Sequence, residues 1–262
     1  MTDAELAIEV AGAGASIVRR RFGTDLDLKP KGPGDFATDV DVAAEAAMLA
    51  ILRRERPADS ILAEEHGRVG PVDSERTWLV DPLCGTLNYA ARMRAVAVNV
   101  ALRDGSGFRA AAVADPFGDA VYWTDMRTAS MRARNQDSVL APSARTGLVD
   151  LNLDPPFPNA SRFRTAALAA HPQFSATFRP RVVSSTIAVA WVATGQRAAY
   201  VSDGDFRDNV HFAAGLALCE ASGCVVTDLR GRPWGAGPGG LLIAADRECH
   251  AALLRLITEC TS

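Results

Sequence analysis

The chain has 262 residues, 48% of them hydrophobic and 23% charged, with a formal net charge of -3 and a pI near 5.8. That is globular composition, long enough for one large domain or two small ones sharing a core. It carries no basic patch or tail, which argues against nucleic acid as a partner, and no apolar run approaches the ~20 residues that a membrane span needs.

The opening MTDAELAIEV has neither a basic n-region nor an apolar h-region, so no signal peptide is expected. The cysteines, Cys84, Cys219, Cys224, Cys249 and Cys260, are odd in number and form no CxxC pair, which suits a reducing cytoplasm better than a disulfide framework. In chain order, Thr2-Asp3-Ala4-Glu5 reads as a capping box opening a helix that runs to about Phe22 and stops at Gly23. Leu28 to Phe36, rich in Lys, Pro and Gly, is predicted as a loop. A second helix is predicted from about Asp39 to Arg56, ended by Pro57. Ile61-Leu62-Ala63 and Trp78-Leu79-Val80 read as buried strands, each followed by carboxylates. Ala95–Leu102 alternates as a strand, Asp104-Gly105 signals a hairpin, and Ala110–Ala114 and Ala120–Thr124 extend the β region around Pro116-Phe117-Gly118.

After about Thr146 strands and helices alternate. Val182-Val183, Ala198–Val201, Cys224–Leu229 and Leu241–Ala245 are the expected strands. Ser184–Thr194, Asp208–Ala221 and Arg247–Cys260 are the expected helices, the second capped by Asp208. The expected architecture is an α+β first part, residues 1–145, followed by an α/β second part, residues 146–262.

Three local patterns carry chemistry. The first is Asp35-Phe36-Ala37-Thr38-Asp39-Val40-Asp41, with Lys31 just before it. The second is Leu62-Ala63-Glu64-Glu65 followed by Trp78-Leu79-Val80-Asp81-Pro82-Leu83-Cys84-Gly85-Thr86. The third is Val210-His211-Phe212-Ala213-Ala214-Gly215, then Glu220 through Asp228. Carboxylates at strand ends, where the backbone is rigid, are suited to holding a hard divalent cation such as Mg²⁺.

In order and spacing these blocks resemble the inositol monophosphatase family, over nearly the whole chain. The resemblance implies a layered αβαβα sandwich of the inositol monophosphatase/fructose bisphosphatase type. It also implies a cytoplasmic homodimer and a small phosphorylated substrate. By resemblance, Glu64, Asp81 and the Leu83 carbonyl bind a first Mg²⁺. Asp41 and Thr86 orient the attacking water, and Gly85 and Thr86 offer backbone N–H groups to phosphate. Lys31, Asp35 and Glu65 stand behind these, while Ser184 and Asp205 are candidates for touching substrate. Asp203 and Asp208 lie in the same region as Asp205, and His66 is a candidate proton shuttle.

The departures from the family pattern are Cys84 and His211, each where the family has an aspartate that joins Asp81 around a second metal. The exchange removes two formal negative charges if the thiol and imidazole are neutral. Mg²⁺ is poorly suited to S and N donors, whereas Asp, Cys and His together suit Zn²⁺ or another softer ion, so the second site is read as a relic of a lost metal site, a site retuned to a softer ion, or a weak Mg²⁺ site. His211, in the first turn of its helix, is expected to be neutral because a helix N-terminus disfavours imidazolium. Three functions follow as expectations: phosphate monoester hydrolysis with a modified second site, weak on inositol monophosphate; other chemistry on this scaffold in a specialised biosynthetic pathway; or non-catalytic binding of a phosphorylated ligand.

Overall fold

The structure, a computed structural model, describes every residue except 33–34, 156–157, 160, 207–208, 236–238 and 261–262. The chain divides into two compact units. The first comprises Met1–Val139, Ser185–Ile187 and Val210–Leu218, and the second Leu140–Ser184, Ala188–Asn209 and Cys219–Ser262. Three separate stretches of chain therefore build the first unit.

The first unit opens with α1 (Asp3–Arg20), whose N-cap Thr2 accepts a hydrogen bond from the Glu5 N–H. Its buried stripe, Leu6, Ala7, Val10, Ala11, Gly14 and Val18, follows the helical period. Then come β1 (Leu28–Gly32), β2 (Asp35–Thr38) and α2 (Asp39–Glu55). At Gly14 a Cβ would lie 2.7 Å from the Met48 sulfur and 2.9 Å from Val98 Cγ1, so only glycine lets α1 approach this closely. The segment predicted as a loop at Leu28–Phe36 is instead an antiparallel ribbon, β1 on β2. The ribbon's first strand is exposed along its length, so no apolar alternation betrays it.

The unit continues with β3 (Ser60–Ala63), β4 (Gly67–Val69), β5 (Thr77–Cys84), α3 (Thr86–Ala90), β6 (Ala97–Asp104), β7 (Gly107–Asp115), β8 (Ala120–Thr124), β9 (Ala129–Ala133) and β10 (Gln136–Val139). These strands form an eight-stranded sheet in the order β10-β9-β8-β7-β6-β5-β3-β4. Only β3 and β5 run parallel; the other neighbours are antiparallel. Helices α1 and α2 pack on it over a core that includes Leu6, Met48, Leu52, Trp78, Val98 and Leu102.

The second unit holds β11 (Leu148–Asn152), α4 (Thr165–Ala170), α5 (Pro172–Thr177), β12 (Arg179–Val182), part of α6 (Ile187–Ala193), β13 (Ala199–Ser202), the end of α7 (Val210–Ser222), β14 (Val225–Thr227), β15 (Leu241–Ala244) and α8 (Arg247–Glu259). Its five-stranded sheet has the order β12-β11-β13-β15-β14, with β12, β11 and β13 parallel and β15 antiparallel to both its neighbours. The core includes Val149, Leu151, Phe174, Val201, Leu242 and Leu253. The helix expected from Ser184 starts only at Ile187, and the expected cap of α7, Asp208, lies outside the described residues. No helix among the described residues is long and apolar enough to cross a membrane.

Candidate metal centre and active site

The parallel pairing of β3 and β5 makes the site. Ala63 is in register with Val80, and the Glu64 N–H donates to the Val80 carbonyl at 3.1 Å. Glu64, just past β3, and Asp81, in the last half of β5, therefore lie side by side, toward the carboxyl ends where open parallel sheets bind ligands. The pairing of β5 with β6 slips between Asp81 and Cys84. Such an irregularity re-aims the side chains around it, and Pro82 sits at that place.

Asp81 has no exposed surface. One carboxylate oxygen accepts the Leu83 N–H at 3.1 Å; the other accepts Asn99 Nδ2 at 3.1 Å and faces His211 Nδ1 at 2.9 Å. Burial pushes this carboxyl up, but the charge and hydrogen bond of His211, with smaller contributions from Glu64 and then Asn99, outweigh it and hold Asp81 below its ordinary range. Glu64 is the converse. Burial and then the Asp81 charge push it up to about 8, against the opposing pull of His211 and Lys31. Lys31 Nζ donates to Glu64 Oε1 at 2.8 Å and to Glu65 Oε1 at 2.6 Å. Glu64 Oε2 is buried with no hydrogen-bond partner, 3.8 Å from His211 Nδ1.

The donor atoms of Asp81, Cys84 and His211 lie within 4.8 Å of one another. The Thr186 N–H donates to Cys84 Sγ at 3.3 Å, and the Ser185 hydroxyl to the Cys84 carbonyl at 3.1 Å. Burial, then the Asp81 charge, pushes the Cys84 thiol up. For His211 the expectation of a neutral ring is overturned. Burial pulls the imidazole down, but the charge and hydrogen bond of Asp81, followed by the hydrogen bond with Cys84, raise it well above its ordinary value. A carboxylate at 2.9 Å outweighs a helix N-terminus, whose effect at a surface is only ~0.3–1 kcal/mol.

The residues fit a cation in two ways. Glu64, with its orphaned oxygen, Asp81 and the Leu83 carbonyl offer only oxygen, the donor set for Mg²⁺. Asp81, Cys84 and His211 offer oxygen, sulfur and nitrogen, a set for a softer divalent ion once the thiol and the imidazole have lost their protons. The centre is thus one all-oxygen half and one mixed half joined at Asp81.

Asp41 stands beside the first half. Thr38 caps α2 in a reciprocal box in which the Thr38 N–H and hydroxyl reach Asp41 Oδ2 at 2.8 and 2.5 Å. The other Asp41 oxygen is 3.0 Å from the Thr86 hydroxyl, which also lies 3.1 Å from the Leu83 carbonyl. Asp41 is fully buried, and that burial, partly offset by the bonds from Thr38 and Thr86, pushes its carboxyl up to about 6. Gly85 takes a φ of 98° to turn β5 into α3. A Cβ there would meet the Ala95 carbonyl at 3.1 Å and Ser185 Cβ at 3.2 Å.

Lys31, Asp41, Glu64, Glu65, Asp81, Leu83, Cys84, Gly85, Thr86 and His211 all belong to the first unit. Asp35 lies in β2, and its side chain is outside the described residues. Ser184 and Asp205 belong to the second unit, where the Ser184 hydroxyl donates to Asp154. There too, Asp203 accepts the Asn159 backbone and side-chain N–H groups at 3.2 and 2.7 Å.

Sequence reasoning missed three contributors. Glu45, fully buried in α2, accepts the Glu65 and His66 backbone N–H groups at 2.8 and 2.9 Å and so fixes the turn that carries Glu64. It stands one helical turn after Asp41, a spacing that could have revealed it. Asn99, opposite Asp81 in the β5–β6 register, bonds both Asp81 and the Thr186 hydroxyl. Thr186 itself was read only as part of a helix, although an Asn within an alternating apolar strand is a signal for a buried polar partner.

This fold and this centre define a metal-dependent phosphatase superfamily member of mixed α/β sandwich topology with an altered metal site. The sequence profile of the inositol monophosphatase family matches residues 2–262, and the chain belongs to that family. It is similar to the inositol-1-monophosphatase of Caulobacter vibrioides, 28% identical over 262 residues that cover 94% of this chain and 97% of that one. It is 29% identical over 235 residues to the Nus factor SuhB of Escherichia coli, covering 86% and 85%. In fold it matches the crystal structure of the extragenic suppressor protein suhB from Bartonella henselae with a TM-score of 0.85 at 21% identity, over 97% of this chain and 98% of the other.

Proposed function

We propose that the chain hydrolyses a small phosphate monoester, a polyol or sugar phosphate, with Glu64, Asp41 and Thr86 as its water-activating group and weak activity on inositol monophosphate. The observation that carries this reading is the Asp41–Thr86 hydrogen bond at 3.0 Å, together with the unpartnered buried oxygen of Glu64. A divalent cation bound by Glu64, Asp81 and the Leu83 carbonyl would supply charge neutralisation at the phosphoryl oxygens. The Thr86 hydroxyl positions the attacking water, and Asp41 receives its proton through that hydroxyl. The backbone N–H groups of Gly85 and Thr86, at the start of α3, hold phosphate oxygens. Asp81, Cys84 and His211 would hold a softer ion, such as Zn²⁺, in preference to Mg²⁺, and that ion would supply charge stabilisation at the leaving oxygen.

The test is phosphate release from a panel of sugar and polyol phosphates, each with Mg²⁺, Mn²⁺ and Zn²⁺. Release is expected with at least one ion, and Asp41→Asn should lower it by about 10²-fold or more. A second reading has its own observation. Lys31 already faces Glu64 and Glu65, and His211 faces Asp81, so protein cations stand against these carboxylates. On that reading the chain binds a phosphorylated ligand, or transforms it otherwise, without hydrolysis. Failure to release phosphate with every ion, alongside measurable binding of the same phosphates, would establish it.

A further inference from the structure

Away from the metal centre, α7 ends in a hydrogen-bonded cap that brings two cysteines together. Gly223 takes a φ of 86°. Its N–H donates to the Glu220 carbonyl at 3.2 Å, and the Cys224 N–H donates to the Cys219 carbonyl at 2.9 Å. These are the two bonds of a Schellman motif, which folds the residue after the glycine back onto the third residue from the helix end. The side-chain contact between those two positions is ordinarily apolar. Here both positions are cysteine.

Cys219 is fully buried, with its thiol donating to the Val189 carbonyl at 3.4 Å, whereas Cys224 is half-buried. The Ser222 hydroxyl donates to the Cys219 carbonyl at 3.1 Å and lies 3.5 Å from Cys224 Sγ. The contact with Cys219 holds the Cys224 thiol below its ordinary range, with burial opposing it, while the same contact raises Cys219. Cys224 is thus the more exposed of the pair, and Cys219 lies buried behind it. That is the arrangement of an attacking and a resolving cysteine.

We propose that Cys219 and Cys224 are a redox-active dithiol, a modification site that closes reversibly to a disulfide when the chain meets a low-molecular-weight disulfide. The Cys224 thiolate attacks one sulfur of that disulfide. The Cys224–S bond forms, the reagent's S–S bond breaks, and the expelled thiolate takes a proton. Cys219 then loses its proton and attacks Cys224 Sγ, expelling the second thiol. The protein pair is oxidised by two electrons and the reagent is reduced to two thiols, so the exchange balances. The ring closed is short and removes little entropy from the unfolded chain. The bond therefore adds little stability and stays reducible.

Both cysteines fall within residues 208–230, which trypsin releases as one peptide with no internal Lys or Arg and no third cysteine. The experiment treats the folded full-length chain with oxidised glutathione, alkylates the remaining thiols, digests and weighs that peptide. Loss of two hydrogens from the peptide and loss of both alkylation sites, restored by dithiothreitol, is expected. In Cys219→Ser the same peptide should instead retain one glutathione on Cys224, because the resolving thiol is gone. Should the wild-type peptide stay fully alkylated while Cys260 or Cys84 reacts, the proposal is wrong. It is equally overturned if wild-type Cys224 keeps its glutathione while Cys219 is alkylated.

Discussion

The two halves of the metal centre hang on the same strand yet solve different electrostatic problems. Glu64, Asp41 and Thr86 form a half in which buried carboxylates lack sufficient positive charge: Glu64 is pushed up to about 8 and Asp41 to about 6. Asp81, Cys84 and His211 form a half that has satisfied itself, since His211 supplies the charge that keeps Asp81 ionised. The difference teaches that exchanging aspartates for Cys84 and His211 does more than delete ligands. It installs a side-chain cation where an ion would otherwise be required, so a metal there must displace protons as well as bind.

The strongest way to break this comparison is to make the two halves alike. Cys84→Asp together with His211→Asp should raise Mg²⁺-dependent phosphate release by on the order of 10²-fold, and either change alone by far less, because groups that act on one centre are non-additive. Each single variant leaves a mixed donor set that a hard cation meets poorly. Release from several sugar and polyol phosphates by all four proteins is the measurement. Additive small gains, or a double variant that folds and binds Mg²⁺ yet stays inert, would mean that the half containing Asp41 and Thr86 has also been turned to other chemistry.

The first half can be probed through stability. Asp41 has a folded pKa of about 6 against an ordinary value of 3.8. Between those values the folded chain holds a proton that the unfolded chain releases, so this group's stabilising contribution is present at low pH and lost as pH rises through about 6. Asp41→Asn removes that dependence. In the presence of a chelator, the melting temperature of the variant relative to wild type should therefore climb from pH 4 to pH 7, by the equivalent of on the order of 2 kcal/mol. A constant gap would show that Asp41 is ionised throughout and that burial does not govern it.

What could be read in advance follows physical lines. Glu64 and Asp81 were legible because each terminates an apolar run, and the parallel pairing of β3 with β5 then brings them together. Asp41 was legible only through the resemblance of the run from Asp35 to Asp41 to the family's motif, and its capping box with Thr38 appears in the fold. Glu45 was not, since a carboxylate inside a helix looks like part of a solvated face until the chain folds its 0% exposed side chain under the Glu65 and His66 amides. The charge of His211 was misjudged for a similar reason: its partner Asp81 is 130 residues away in sequence, and only the local helix was visible. The β9–β10 hairpin escaped notice because its turn is Arg134-Asn135, with φ of 49° and 61°, and lacks the Asn-Gly or Asp-Gly signal.

The smallest expected effect separates scaffolding from chemistry around Glu64. His66 stands next to the paired glutamates and was a candidate proton shuttle, yet its Nδ1 is 2.5 Å from Glu45 Oε1 and 48% of its side chain is exposed. Replacing it with alanine leaves Glu45 its two backbone donors, because the amides of Glu65 and residue 66 remain. The lost bond is partly solvated, so the cost should sit at the low end of the range for a net hydrogen bond, ~0.5 kcal/mol. Phosphate release should change by no more than about twofold. A general acid or base contributes typically 10²–10⁴-fold, so a fall of that size in His66→Ala, with the melting temperature nearly unchanged, would return His66 to the reaction. If instead the chain unfolds, the Glu45 anchor is worth far more than its bonds suggest, and the turn carrying Glu64 depends on the imidazole rather than on the two amides.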